Sequence, residues 1–254
     1  MLNIEYWSIT KKGDKHPKNE DNSLCINEMN IFGTAIFLIC DGVGGYAGGD
    51  IASHKIVTKF ERRFHSLRIN PQNIEEYIMK TIDDANSDIV EYSQTNLAYS
   101  QLSSTLVGLF IINDTYHAFS VGDSRIYLRD KIGFRQINED DSKVWERYKE
   151  GLIKKSEIIK QDDKNIITAA LGFKNKVNPH YYKGQVNDYF QFLLSSDGLT
   201  DFVTEGDIEK HLSEGKSVRE KCVGLLEKAI KNGSDDDITI TLIEGDRNKI
   251  KWSQ

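Results

Sequence analysis

Five places in the chain set carboxylates at or beside the end of a short apolar or alternating run: Glu20-Asp21, Asp41, Asp123, Asp197 with Asp201, and Asp236 with Asp237. A lone Asp in such a place is ordinarily a turn former or a helix cap. Several brought to the margin of one core are different, because carboxylates repel one another and resist desolvation unless cations neutralise them. The six histidines are scattered, and the three cysteines, Cys25, Cys40 and Cys222, show no paired spacing. The donors on offer are therefore oxygens, which suit Mn²⁺ or Mg²⁺ in octahedral geometry with retained waters and do not suit Zn²⁺. Two such ions would activate a hydroxide and brace the entering and leaving oxygens of a phosphoryl group. No side-chain nucleophile is then required, and no Ser-His-Asp or Cys-His arrangement stands at a recognisable spacing.

Asp41 has the most distinctive setting. The strand-length apolar run Ile36 to Cys40 delivers it into glycines at 42, 44, 45, 48 and 49. Removing side chains there lets backbone carbonyls and a ligand come close to the acid. The segment from Gly42 to Ala47 also fits G-x-G-x-x-A, the dinucleotide fingerprint. Context argues against that reading, since Asp41 would repel a pyrophosphate and the next helix is followed by INPQNI and another helix, not by a strand ending in a ribose-binding acid.

The elements that must position these acids can be read from periodicity. Leu2, Ile4 and Tyr6 alternate, and a second short strand covers roughly Ser23 to Asn27. Ala52, Ile56, Phe60 and Phe64 form one helical stripe. A second helix is expected from Asn70-Pro71, carrying Ile74, Tyr77, Ile78, Ile82, Ala85, Ile89 and Tyr92. Strands are expected over Ser104 to Ile112 and Tyr116 to Leu128, the latter with Gly122-Asp123-Ser124-Arg125 inside it. Asp140 to Lys164 reads as a polar surface flap, and Tyr189 to Ser196 as an apolar strand. Ser217 with Glu220 makes a capping box for the last helix, which Gly233 closes before the strand Ile238 to Ile243. Strands, a helix pair, more strands and a helix favour an α+β sandwich of antiparallel sheets over a doubly wound parallel sheet. With no linker and no internal repeat, the 254 residues are expected to form a single domain with a flap subdomain near 140–164.

Composition excludes some functions. A formal net charge of −6 and the lack of a Lys/Arg block argue against a nucleic-acid binder. The first residues lack the apolar core of a signal peptide, no apolar span approaches membrane length, and the cysteines are unpaired. A cytoplasmic protein with no membrane partner is the expectation.

The motifs NED at 19–21, DGVGG at 41–45 with AGGDIAS after it, SST at 103–105, GDSR at 122–125, IT..LG within 167–172, SDGLTD at 196–201 and DDIT at 236–239 stand in the order found in a known family. The chain resembles bacterial metal-dependent Ser/Thr protein phosphatases (PPM, type 2C) over about residues 5–244. The resemblance implies a four-layer α/β/β/α sandwich, two antiparallel sheets with a helix pair on each outer face. It implies hydrolysis of phosphoSer and phosphoThr in protein substrates of a Ser/Thr kinase, by a hydroxide on a binuclear Mn²⁺ or Mg²⁺ centre in a monomer. On this pattern Asp41 bridges two metals, Gly42 gives one of them its carbonyl, and Asp197 and Asp236 are the other direct ligands. Glu20 and Asp21 act through water, while Asp123 and Asp201, with Asp197, hold a weaker third ion. The pattern is not complete. An Arg that clamps the substrate phosphate is usual five positions before Asp21; here that position is His16, flanked by Lys15 and Lys18, and His16 is either a phosphate contact or a plain loop residue. Val43 stands where eukaryotic relatives carry a His able to act as general acid, and Ala169 where Arg is common. These losses leave open an alternative, a catalytically weak relative that binds phosphoproteins as a regulator.

Overall fold

The computed structural model describes residues 2–14, 17–43, 48–66, 72–96, 99 and 101–247. Ten of the strands form two five-stranded antiparallel sheets. The first, in the order β1-β12-β11-β8-β9, contains Asn3–Lys11 (β1), Arg125–Asp130 (β8), Gly133–Gln136 (β9), Tyr189–Ser195 (β11) and Ile238–Asp246 (β12). The second, in the order β10-β7-β6-β3-β2, contains Asn22–Glu28 (β2), Thr34–Cys40 (β3), Leu106–Ile112 (β6), Thr115–Val121 (β7) and His180–Gln185 (β10). A short pair, Gly42–Val43 (β4) with Ser103–Ser104 (β5), continues beyond β3.

The central strands explain the layering. In β3 every residue is buried, and its side chains alternate between two cores. Ala35, Phe37 and Ile39 face the interior between the sheets, where they meet Val107, Leu109, Ile111, Phe190, Phe192 and Leu194. Ile36, Leu38 and Cys40 face outward onto helices. A strand covered on both faces has no solvated side on which to place polar residues, so it reads as an unbroken apolar run. The covering helices on that side are Gly49–Ser66 (α2) and Ile74–Thr95 (α3), which bury the stripe Ala52, Ile56, Phe60, Phe64 and the set Ile74, Tyr77, Ile78, Ile82, Ala85, Ile89. The expected Asn70-Pro71 start lies outside the described residues. On the other side Glu205–Leu212 (α6) and Val218–Lys231 (α7) bury Ile208, Leu212, Cys222, Leu225 and Ala229 against Leu193, Ile240 and Leu242. The Ser217/Glu220 capping box at the start of α7 is formed in both directions. The chain thus builds the expected four-layer α/β/β/α sandwich.

The expected strand over Tyr116 to Leu128 is two strands. Gly122 has φ +101°, and the chain leaves the second sheet at Val121 and enters the first at Arg125. A side chain at Gly122 would meet Thr105 Cβ and Cγ2 at 2.8 Å, so both conformation and space require glycine. The break points Asp123 out of both ladders. Asp140 to Lys164 also divides. Asp140 is buried and accepts Nε (2.9 Å) and Nη2 (2.7 Å) of Arg125 on one oxygen and Gln136 Nε2 on the other. Only the part beyond Ser142 stands apart, as Lys143–Lys149 (α4) and a 3₁₀ turn at Lys155–Lys160, packed on their own small cluster of Val144, Trp145 and Ile158.

Candidate metal centre

Antiparallel register gathers the acidic strand ends at one edge of the sandwich. Asn22, the first residue of β2, pairs with Cys40, the last of β3, and Ile39 pairs with Val107 at the start of β6. Leu106 in turn pairs with Val121 at the end of β7, while in the other sheet Ser195 pairs with both Arg125 and Ile240. Glu20-Asp21, Asp41, Asp123, Asp197 and Asp236 are each within two residues of one of these strand ends. Asp197 and Asp201 lie on one short turn, Asp197–Thr200 (α5), with the Asp201 N–H donating to Asp197 O at 2.8 Å.

Asp41 lies at the focus. Its backbone is fixed by Thr105, whose Oγ1 accepts Asp41 N–H at 3.1 Å and whose N–H donates to Asp41 O at 2.8 Å. Burial raises its carboxyl pKa well above the ordinary value, and the carboxylates of Asp21, Asp197, Asp123 and Asp236 raise it further. Asp123 is raised by burial and then by Asp197, Asp140 and Asp201, against the lowering effect of Arg125. Asp21 is pushed up to about 8, chiefly by burial. Its Oδ2 accepts the Ser196 hydroxyl at 2.8 Å, while Oδ1 is buried without a hydrogen-bond partner.

An oxygen-rich cluster of this kind, in which Asp201 is ion-paired to Lys164 at 2.7 Å and Asp123 feels Arg125, fits hard divalent cations. Among the described residues no group of three or more His, Cys, Asp or Glu is placed so that it could hold a metal ion by side chains alone; Mn²⁺ or Mg²⁺ takes one or two carboxylates and completes its shell with carbonyl oxygen and water. Two glycines let backbone segments close on each other beside Glu20. A Cβ at Gly42 would lie 2.3 Å from the Gly49 carbonyl atoms and 2.7 Å from Glu20 O, and one at Gly49 would lie 2.8 Å from the Glu20 carboxyl carbon. Ser53 secures the contact, donating its hydroxyl to Glu20 O (2.6 Å) and Gly49 O (3.0 Å).

The three adjacent acids separate clearly. Asp237 is buried and accepts the N–H groups of Gly13 (2.8 Å) and Glu20 (2.7 Å), so both its oxygens are engaged by backbone. Asp236 accepts the Asp237 N–H on Oδ1 at 2.8 Å and lies close enough to Asp41 to raise its pKa, and Asp235 is exposed. Lys18 is exposed and its ammonium sits 3.0 Å from Asp50 at the start of α2. His16, Gly44 and Gly45 lie outside the described residues. Thr105 and Ser196 lie within the SST and SDGLTD motifs, but no spacing in the sequence marks either as a partner of Asp41 or Asp21.

The model of the family described as protein phosphatase 2C matches residues 31–230. The chain belongs to that family. A serine/threonine phosphatase, stp, of Listeria monocytogenes serotype 4b is 32% identical to this protein phosphatase 2C over 239 residues, 93% of this chain and 94% of the relative. The crystal structure of Serine/threonine phosphatase Stp1 from Staphylococcus aureus superposes with a TM-score of 0.87 at 30% identity, covering 96% of this chain and 94% of that one. In fold alone, the catalytic domain of PstP, solved with 2 manganese ions, matches at TM-score 0.84 and 23% identity over 97% of this chain and all of that one. No described helix of this protein phosphatase 2C is long and apolar enough to cross a membrane.

The raised carboxyl values set a pH dependence. A carboxyl whose folded pKa lies above its unfolded value holds its proton in the native state after the unfolded chain has lost it, so stability falls as pH rises between the two values. For Asp21 that window runs from the ordinary value of 3.8 to about 8. EDTA-treated protein is expected to melt at lower temperature at pH 8 than at pH 5.5, with Mn²⁺ removing most of the difference and Asp21→Asn reducing it. A melting temperature in EDTA that rises across this range would contradict the account.

Proposed function

We propose that this protein phosphatase 2C is a serine/threonine phosphatase that hydrolyses phosphoSer and phosphoThr in protein substrates with two Mn²⁺ or Mg²⁺ ions and a weaker third. One observation carries the reading: carboxylates from the ends of both sheets converge on Asp41 in a chain of this family. Asp41, the Gly42 carbonyl, Asp197 and Asp236 would hold the pair, Glu20 and Asp21 would orient water, and Asp123 and Asp201 would share the third ion with Asp197. When bound, such ions lower the pKa of a water and neutralise charge on the phosphoryl oxygens. The protein's own part is positional. Thr105 fixes Asp41, Ser196 holds one oxygen of Asp21, and glycines at 42 and 49 let the two backbone segments pack in contact beside Glu20. Val43 has no proton to give, so the leaving alkoxide takes its proton from water. His16 and Lys18 are the candidates for the substrate phosphate.

The test is phosphate release from phosphoserine and phosphothreonine peptides in EDTA, Mg²⁺ and Mn²⁺, with turnover expected only with a metal. Binding of phosphopeptide without turnover under any metal would instead favour a phosphoprotein-binding regulator.

The finer reading is of one domain over 1–254 with a flap near 140–164, a monomer in the cytoplasm that opposes a Ser/Thr kinase. The flap is tied to the core by Lys155 on Glu205 (2.8 Å) and by Lys164 on Asp201 (2.7 Å). Between them lies a cavity of about 420 Å³ lined by Trp145, Ile158, Ile159, Val203 and Thr204 and reaching Asp201. Its place beside a site acid supports substrate selection by the flap. Exchanging residues 143–164 for a relative's segment is expected to change the ranking of phosphopeptides while leaving turnover of a small phosphate ester within a few fold; an unchanged ranking would refute this.

A further inference from the structure

The turn that carries Asp123 is gripped by a residue from the stretch read in sequence as flap. Gly122 N–H donates to Asp141 Oδ2 at 2.9 Å, and Asp141 N–H donates to Gly122 O at 2.9 Å. One residue thus satisfies both backbone groups of the glycine at which the chain passes between the sheets. Asp141 O also accepts Thr168 N–H at 2.7 Å. Its second carboxylate oxygen, Oδ1, accepts Nε2–H of His180 at 2.8 Å. His180 lies on β10 opposite Ser120, two residues before Gly122.

The hydrogen bonds of Ser124 are neutral, and Arg125 beyond it pairs with Asp140. Ser124 Oγ meets Thr105 Oγ1 at 2.7 Å, and Asn138 donates to Ser124 O at 3.0 Å. The Asp141 carboxylate is the charged acceptor in the grip, and a hydrogen bond to an ionised group is roughly twice as strong as a neutral one. The groups facing His180 are Asp141, Glu139, Lys149 of α4 and the stacked ring of Tyr182 on its own strand. The hydrogen bond to Asp141 raises the His180 pKa above 6.5 against the effect of burial, Glu139 raises it further and Lys149 lowers it.

We infer that Asp141 and His180 form a positioning pair that sets the Asp123 turn, and with it the affinity of the site for its weakest ion. This rests on the reading of Asp123 as a metal acid. Protonated His180 makes the pair an ion pair with Asp141; as pH rises through the His180 pKa the contact becomes a neutral-donor bond and the grip on Gly122 loosens. The contacts of Asp141 and His180 run to the turn, and on this reading the pair acts through it.

In metal-free protein, the Gly122 amide proton resonance is expected to titrate with the His180 ring in wild type and to lose that component in His180→Gln. Asp141→Ala should raise the Mn²⁺ concentration for half-maximal phosphatase activity about tenfold, with kcat recovered within a few fold at saturating Mn²⁺. His180→Gln should raise it a few fold and flatten its change between pH 6.5 and 8. Asp123→Asn should mask both effects. A Gly122 amide indifferent to the His180 titration, or an Asp141→Ala loss that adds in full to that of Asp123→Asn, overturns the positioning pair. If Asp123→Asn leaves the Mn²⁺ titration of the enzyme unchanged while the Gly122 and His180 signals still move together, the metal reading of Asp123 fails and the effect on ion affinity falls with it.

Discussion

Asp41→Asn is expected to lower Mn²⁺-dependent phosphate release by a factor on the order of 10³ or more while the protein stays folded. The carboxylate lies where the fields of Asp21, Asp197, Asp123 and Asp236 meet, and Asn keeps its shape but not its charge. With Asp41 as a ligand of the proposed metal pair, losing its charge removes several kcal/mol of transition-state stabilisation, and each ~1.4 kcal/mol is tenfold in rate. Without metal the same substitution relieves repulsion among buried acids, so EDTA-treated Asp41→Asn should melt no lower than wild type at pH 8. Asp197→Asn should behave alike. Phosphopeptide assays and melting curves on the same preparations test both halves, and more than roughly a tenth of wild-type activity in either variant would count against the assignment.

The second large effect separates two neighbours. Asp237→Ala strips the acceptor from two buried N–H groups, those of Gly13 and Glu20. Each such loss costs about 1–3 kcal/mol, so a destabilisation of about 3 kcal/mol or more is expected, a fall of roughly 6–12 °C in melting temperature for a chain of this size. Asp236→Asn should do the reverse, leaving melting in EDTA unchanged or higher and removing activity as Asp41→Asn does. Should Asp237→Ala prove stable and inactive while Asp236→Asn is unstable and active, the two roles are exchanged.

Local pattern shows burial and secondary structure because both are written in short spacings. The run Ile36 to Cys40, the stripe Ala52, Ile56, Phe60, Phe64 and the Ser217/Glu220 box each state their own element. The acids at strand ends are visible for the same reason, since a strand must stop where its apolar alternation stops. Partner choice is not written that way. Asp237 serves Gly13 and Glu20, more than two hundred residues away in sequence, and no spacing within DDIT distinguishes it physically from Asp236. Asp140 and Asp141 stand at the head of a polar stretch and read as surface, yet Arg125 holds Asp140 buried, and Gly122 and His180 hold Asp141 half-buried beside it.

By itself, then, the sequence determined the layers of this protein, the acids at strand ends and the hard-cation chemistry they suit. Tertiary structure alone decided that the strand through Gly122 changes sheets and which carboxylates are held by backbone amides and side chains. The physical reason is range: hydrophobic periodicity acts over one turn or one pleat, whereas the hydrogen bonds that orient a buried carboxylate join segments that only the packed sheets bring together.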